Sequence, residues 1–153
     1  MFLRALIAFL ILPCVFGGIA PLLLSHADPW RGHGIIIPGA IVMGSGLFLL
    51  LWCVRDFYVA GKGTLAPWDP PKHLVVVGLY RYSRNPMYIS LLTLIGGWAL
   101  LAASPLIAGY LLFFAVAFHL RVVFYEEPCL SKLFGQEWTD YKAKVSRWIN
   151  LHF

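Results

Sequence analysis

Long apolar runs separated by short polar turns dominate the chain, and a membrane helix needs roughly 20 mainly apolar residues. The first run covers residues 5–24 and contains Pro13 and the Gly17-Gly18 pair. Arg4 precedes it, as in a secretory leader, but the run is long for a leader core. No convincing small-residue cleavage site follows, so a retained helix is expected. A polar turn with Asp28, Pro29 and Trp30 leads into a second run at 35–58, where Gly39, Ala40, Gly44 and Gly46 would let a neighbouring helix approach closely. After a polar stretch at 55–86, two further runs at 87–103 and 105–125 are separated only by Ala103-Ser104-Pro105. So short a turn makes them an antiparallel hairpin. The pattern predicts an all-α polytopic membrane bundle, about four transmembrane helices in one domain over 1–153.

The segment 128–148 has a different rhythm. Leu130, Leu133, Phe134, Trp138, Tyr141, Val145 and Trp148 recur at steps of three and four, which is one stripe of an amphipathic cytoplasmic helix. Lys132, Glu137, Asp140, Lys142, Lys144 and Arg147 fill the remainder. Two placements fit this pattern: flat on the membrane surface, or over the 55–86 stretch as a lid.

Composition narrows the class. Of the 153 residues, 60% are hydrophobic and 12% charged, against about 25% charged in soluble domains. Disorder and low-complexity architectures are excluded as well. The net charge is +5, but the basic residues sit at the ends of apolar runs and not on one continuous face. That distribution suits anionic lipid and argues against nucleic acid. With the N-terminus inside, every Lys and Arg except Arg31 falls on one side, so both termini and the 55–86 stretch are expected in the cytoplasm. In a bacterium this is the inner membrane. Cys14, Cys53 and Cys129 have neither paired nor metal-ligand spacing, so no disulfide framework and no metal site is expected.

The hairpin sets the start of the third run beside the end of the fourth. Residues 80–88 should therefore face 119–127 across one gap, forming a polar pocket open to the cytoplasm. Arg81 and Arg84 suit headgroup anchoring as well as ligand binding. Asn85-Pro86 suits a helix start, with Asn capping free N–H groups and Pro in the first turn. Glu126 and Glu127 oppose the helix dipole at the end of a span, where stability gives little reason for carboxylates. His119 lies seven residues before Glu126 and so on the same face, with Arg121 about 200° around from His119.

Gly78-Leu79-Tyr80, then Arg84-Asn85-Pro86-Met87-Tyr88, form one ordered motif. Glu126-Glu127-Pro128 with Leu130, Phe134-Gly135-Gln136-Glu137-Trp138, Tyr141 and Val145-Ser146-Arg147-Trp148-Ile149 form another. Together, over residues 72–149, they resemble the isoprenylcysteine carboxyl methyltransferase and phospholipid methyltransferase group, which are integral membrane enzymes. The resemblance implies S-adenosylmethionine as cofactor, with S-adenosylhomocysteine as product. It implies that Lys72, His73, Leu74, Val75, Tyr80, Asn85, Pro86, Met87, Tyr88 and Glu126 contact the cofactor, within a cytoplasmic cofactor segment at 61–86. The cofactor's own groups extend that set. Arg84 suits its carboxylate through a bidentate pair, while Glu126 or Glu127 suits its hydroxyls or ammonium. Backbone around residues 74–78, including Gly78, can read the adenine edge, with Leu74, Val75 and Leu79 enclosing the ring. Where the family often has His, Asn85 can hydrogen-bond but cannot carry charge. Arg121 stands near the position of the family's substrate-binding Arg.

Methyl transfer relies on orientation and exclusion of water, so no catalytic residue is assigned beyond the candidates His119, Arg121 and Glu127. The acceptor implied is a lipophilic carboxylate, amine or thiol reached from the bilayer. A carboxylate or thiolate needs no base, whereas a protonated amine does, and His119 or a glutamate would be in place to serve. The alternative is a non-catalytic transport or assembly protein with the same helices, in which the glutamates and Arg84 anchor an interface. A nicotinamide enzyme would need a glycine-rich fingerprint after a strand, and none is present.

Overall fold

The computed structural model describes residues 13–61 and 73–149, and among these there is no strand. In order come α1 (Val15–Ala27), α2 (Ile36–Gly61), a 3₁₀ turn at Gly78–Arg81, α3 (Pro86–Ala102), α4 (Pro105–Arg121) and α5 (Glu127–Lys144). Among the described residues, two helical stretches are long and apolar enough to cross a membrane, Ile36–Asp56 and the run Pro105–Lys144. The α3 helix has 17 residues, about 25 Å at the α-helical rise, against roughly 30 Å of hydrocarbon. The early part of the expected 5–24 run lies outside the described residues, and its described part continues to Ala27. Ile36, Ile37, Ile41 and Phe48 of α2, with Leu112 and Phe113 of α4, are exposed on the exterior, as residues facing hydrocarbon would be.

The closest packing is between α2 and α3, and glycine sets it. A Cβ at Gly46 would lie 2.5 Å from the Leu94 nitrogen, and one at Gly97 would lie 2.5 Å from the Met43 nitrogen. At both points backbone touches backbone, so no side chain fits. Gly39 is similarly closed by Leu101, but Gly44 has open space around it and Ala40 is exposed. Of the four small residues expected at the interface, only the two spaced seven apart, Gly39 and Gly46, face α3, because that spacing keeps one helical face. Leu50, Leu91, Leu94, Ile95 and Ile107 form the core beside this contact.

Polar groups around α1 and the turn before α2 find partners within the protein. The π-turn Val15–Ile19 in α1 presents carbonyls to its neighbours: Trp98 Nε1 donates to Gly17 O at 3.1 Å and the Tyr110 hydroxyl to Phe16 O at 3.0 Å. At the turn before α2, buried Asp28 accepts from the Ser104 hydroxyl, from Leu106 N at 3.0 Å and from Trp30 N at 2.9 Å. Ser104 in turn caps α4 by accepting from Ile107 N at 3.2 Å. These donors, Ser104 foremost, hold the Asp28 carboxyl below the usual carboxylate range despite its burial.

Three expectations about helix ends change. The helix does not break near residue 126. It passes from α4 through a π-turn at Val122–Glu126 into α5, with Pro128 in the first turn of α5. The C-terminal helix kinks at Gly135, whose φ of 50° favours glycine, and it ends at Lys144, short of 148. Asn85 precedes Pro86 at the start of α3 but makes no side-chain cap, because its amide is drawn to the C-terminal segment instead. Trp138, Tyr141 and Val145 bury together with Leu74, Leu130 and Phe134 packed on them, so α5 covers the stretch beginning at residue 73. Leu133 is left exposed.

Replacing Gly97 by Val should force α2 and α3 apart and lower stability by roughly 1–3 kcal/mol, read as a fall in Tm in detergent. Gly44→Val on the open face should change it by less than about 0.5 kcal/mol.

Candidate functional site

In the stretch at 73–85, extended Val77 leads into Gly78, whose φ of 55° starts the 3₁₀ turn. Tyr80 is buried there with Cys53 and Val75, and the Tyr141 hydroxyl donates to its carbonyl at 2.6 Å. The residues after Lys144 then strap the following turn. Arg84 N donates to Ser146 O at 3.0 Å, and Asn85 Nδ2 donates to Arg147 O at 2.9 Å. Asn85 N is satisfied by the Ser83 hydroxyl at 3.1 Å.

Across the hairpin, the expected juxtaposition of 80–88 with 119–127 is present. The Tyr88 hydroxyl donates to Glu126 Oε1, and Arg121 Nε donates to the same carboxylate oxygen at 2.8 Å and to the Tyr88 oxygen at 3.1 Å. Tyr88 is held for this by stacking on Phe118, with ring centroids 4.4 Å apart. Residues 121 and 126 are five apart, about 140° around an α-helix. The π-turn between them has i→i+5 spacing and brings them together.

The adjacent carboxylate has different partners. Arg147 grips Glu127 with Nε at 2.7 Å and Nη2 at 3.0 Å, a bidentate pair. Arg84 Nη1 lies 3.0 Å from Glu127 Oε1 as an ion pair, without the geometry of a hydrogen bond. The Arg84 side chain is only 8% exposed and lies over the Trp138 ring at 5.4 Å. Its Nε and Nη1 have no hydrogen-bond partner. The hydrogen bonds from Arg147 lower the Glu127 pKa, and the Arg84 charge adds to this against the opposing effect of burial. Burial lowers the Arg84 pKa, while Glu127 supports its charge; a guanidinium nevertheless stays protonated near neutrality.

The other expected residues separate. Lys72 lies outside the described residues. His73 and Leu74 line an open cleft of about 480 Å³ with Leu133, Phe134, Gln136 and Glu137. Pro86 is buried in the first turn of α3, and Met87 packs against apolar groups of the core and around Tyr80. His119 does not meet Glu126. It stacks on Trp148 and accepts from the indole N–H at Nδ1, at 3.3 Å. Arg147 is the main addition to the set. Its place in the Val145–Ile149 motif was visible, but its expected position on a helix hid the return of the chain that carries it to Glu127.

Since the folded pKa of Glu127 lies below the unfolded carboxylate value of about 4.3, its contribution to stability is present above that value. It is lost as pH falls through the lowered folded pKa. The Tm of Glu127→Gln should therefore fall less steeply with acidification below about pH 4 than that of wild type, in thermal scans across a pH series.

A family model for phospholipid methyltransferase matches residues 35–137. No curated protein and no solved structure matches the chain. The matched stretch contains α2, the α3–α4 hairpin, Arg84, Tyr88, Arg121 and both glutamates, and it stops short of the strap at Ser146 and Arg147. Two thirds of the sequence thus carry the pattern of membrane-associated methyltransferases: the chain belongs to the phospholipid methyltransferase family.

Proposed function

We propose that the protein is an integral membrane enzyme that uses S-adenosylmethionine to methylate a lipophilic acceptor entering from the bilayer. In this reading four helices span the membrane, with both termini and the polar end of the bundle in the cytoplasm. A polar cofactor and a membrane-dissolved acceptor would then meet at the interface. When bound, the cofactor supplies an electrophilic methyl whose bond to sulfur breaks as the acceptor's new bond forms.

The observation that carries this reading is Arg84, a buried guanidinium with two nitrogens lacking a hydrogen-bond partner. Burying such donors unpaired is unfavourable, and a carboxylate like that of the cofactor's amino-acid end supplies the matching planar acceptor. Glu127 and Arg147 orient this guanidinium. Glu126, fixed by Tyr88 and Arg121, accepts hydrogen bonds from the cofactor. Leu74 and Phe134, on the open cleft, provide apolar surface for an adenine ring, and Asn85 is retained by the C-terminal strap in a holding role. The chain's contribution to rate is positioning and exclusion of water. The acceptor class is a carboxylate, amine or thiol. A protonated amine would have to lose its proton first, with His119 or one of the glutamates as the candidate base.

Calorimetric titration of the purified protein in detergent should detect S-adenosylhomocysteine binding. Arg84→Lys, which keeps the charge but not the fork, should weaken it by about 10-fold or more. A wild-type protein that binds neither cofactor nor product would overturn this reading.

A further inference from the structure

Among the described residues, three buried side-chain atoms lack a hydrogen-bond partner: two belong to Arg84, and the third is Asp56 Oδ2. Asp56 lies in the last turns of α2 and is only 8% exposed. Its neighbour Arg55 has a side chain that is 76% exposed and reaches only Asp56 Oδ1, at 3.6 Å. A pair at that distance with its cation in solvent contributes little. Of two adjacent charges at this helix end, the acid is thus the one turned inward, and one of its oxygens is unpaired.

The surroundings are shaped around that oxygen. A Cβ at Gly78 would lie 1.9 Å from Asp56 Oδ2, so any other residue at 78 would displace the carboxylate. The same backbone position has the left-handed φ that begins the Tyr80 turn. One turn back along α2, Cys53 packs with Val75 and Tyr80, so this end of α2 lies against the 75–80 segment that Asp56 meets at Gly78. Burial foremost raises the Tyr80 pKa, with smaller contributions from Cys53, Tyr141, Asp56 and Glu126.

We propose that Asp56 is a cofactor-binding residue whose carboxylate accepts hydrogen bonds from the vicinal hydroxyls of the ribose. This rests on the reading of the protein as an S-adenosylmethionine enzyme and adds a ligand from α2, outside both sequence motifs. A carboxylate oxygen without a hydrogen bond fits a diol, which offers two adjacent donors, as the Arg84 nitrogens without hydrogen bonds fit an acid. The backbone and apolar side chains of residues 74–79 hold the nucleoside side of the site, so Asp56 faces the sugar and Arg84 the amino-acid end.

The test uses Asp56→Asn in detergent, with S-adenosylhomocysteine and with 5′-methylthioadenosine, which keeps the ribose but has no amino acid. Affinity for both should fall by about 10-fold or more, while the unliganded variant melts at or above the wild-type Tm because an unpaired buried charge has been removed. Loss of affinity for S-adenosylhomocysteine alone would assign Asp56 to the ammonium and overturn the ribose assignment. Wild-type affinity in the variant, or an unliganded Tm clearly below wild type, would overturn a ligand role for Asp56 and leave the proposed function standing. Absence of binding by the wild type would instead remove the proposed function itself.

Discussion

Two neighbouring, partly buried carboxylates at the end of a hydrophobic helix each take a cation or donor as partner, and the polar end of this bundle is organised around those pairings. Glu126 and Glu127 point to separate partner sets. Glu126 joins the start of α3 to the end of α4 through Tyr88 and Arg121. Glu127 draws in the residues after α5 through Arg147, and the turn before α3 through Arg84. With ordinary α-helical spacing, Arg121 would be on a different face from Glu126. The π-turn is the local irregularity that lets adjacent acids serve different sides of the same site.

The two ends of the bundle differ in how completely their polar groups are satisfied. At the Asp28 end, both carboxylate oxygens accept from the protein itself, and the result is a clamp between the turn at 28–35 and the helical hairpin. At the other end, Asp56 and Arg84 keep buried atoms without partners. Buried donors and an acceptor left without hydrogen bonds at the same end of one fold are what a ligand with both acidic and hydroxyl groups would complete. Local inconsistency of this kind, in a structure otherwise well satisfied, is expected where function overrides stability.

The C-terminal residues do more than shield the site. Ser146 and Arg147 hold the 84–85 turn through their carbonyls, while Arg147 holds Glu127 through its side chain. The same short strap therefore orders both motifs. It also takes Asn85 away from helix capping, and it leaves Trp148 to occupy the lone pair of His119.

Hydrophobic periodicity determined the helices, the short hairpin and the meeting of Tyr88 with Glu126, because run length and turn length are local properties that connectivity carries directly into space. Periodicity also contained the Trp138, Tyr141 and Val145 stripe. It did not contain the π-turn, the continuation of the helix past residue 126 or the early end at Lys144, since these follow from competition among distant partners. Nor did it separate Gly46 from Gly44, as only the position of α3 determines which face of α2 is covered. Asp56 was passed over for the same reason: its neighbour in sequence is a cation in water, whereas its burial against Gly78 exists only when two segments far apart in the chain fold together.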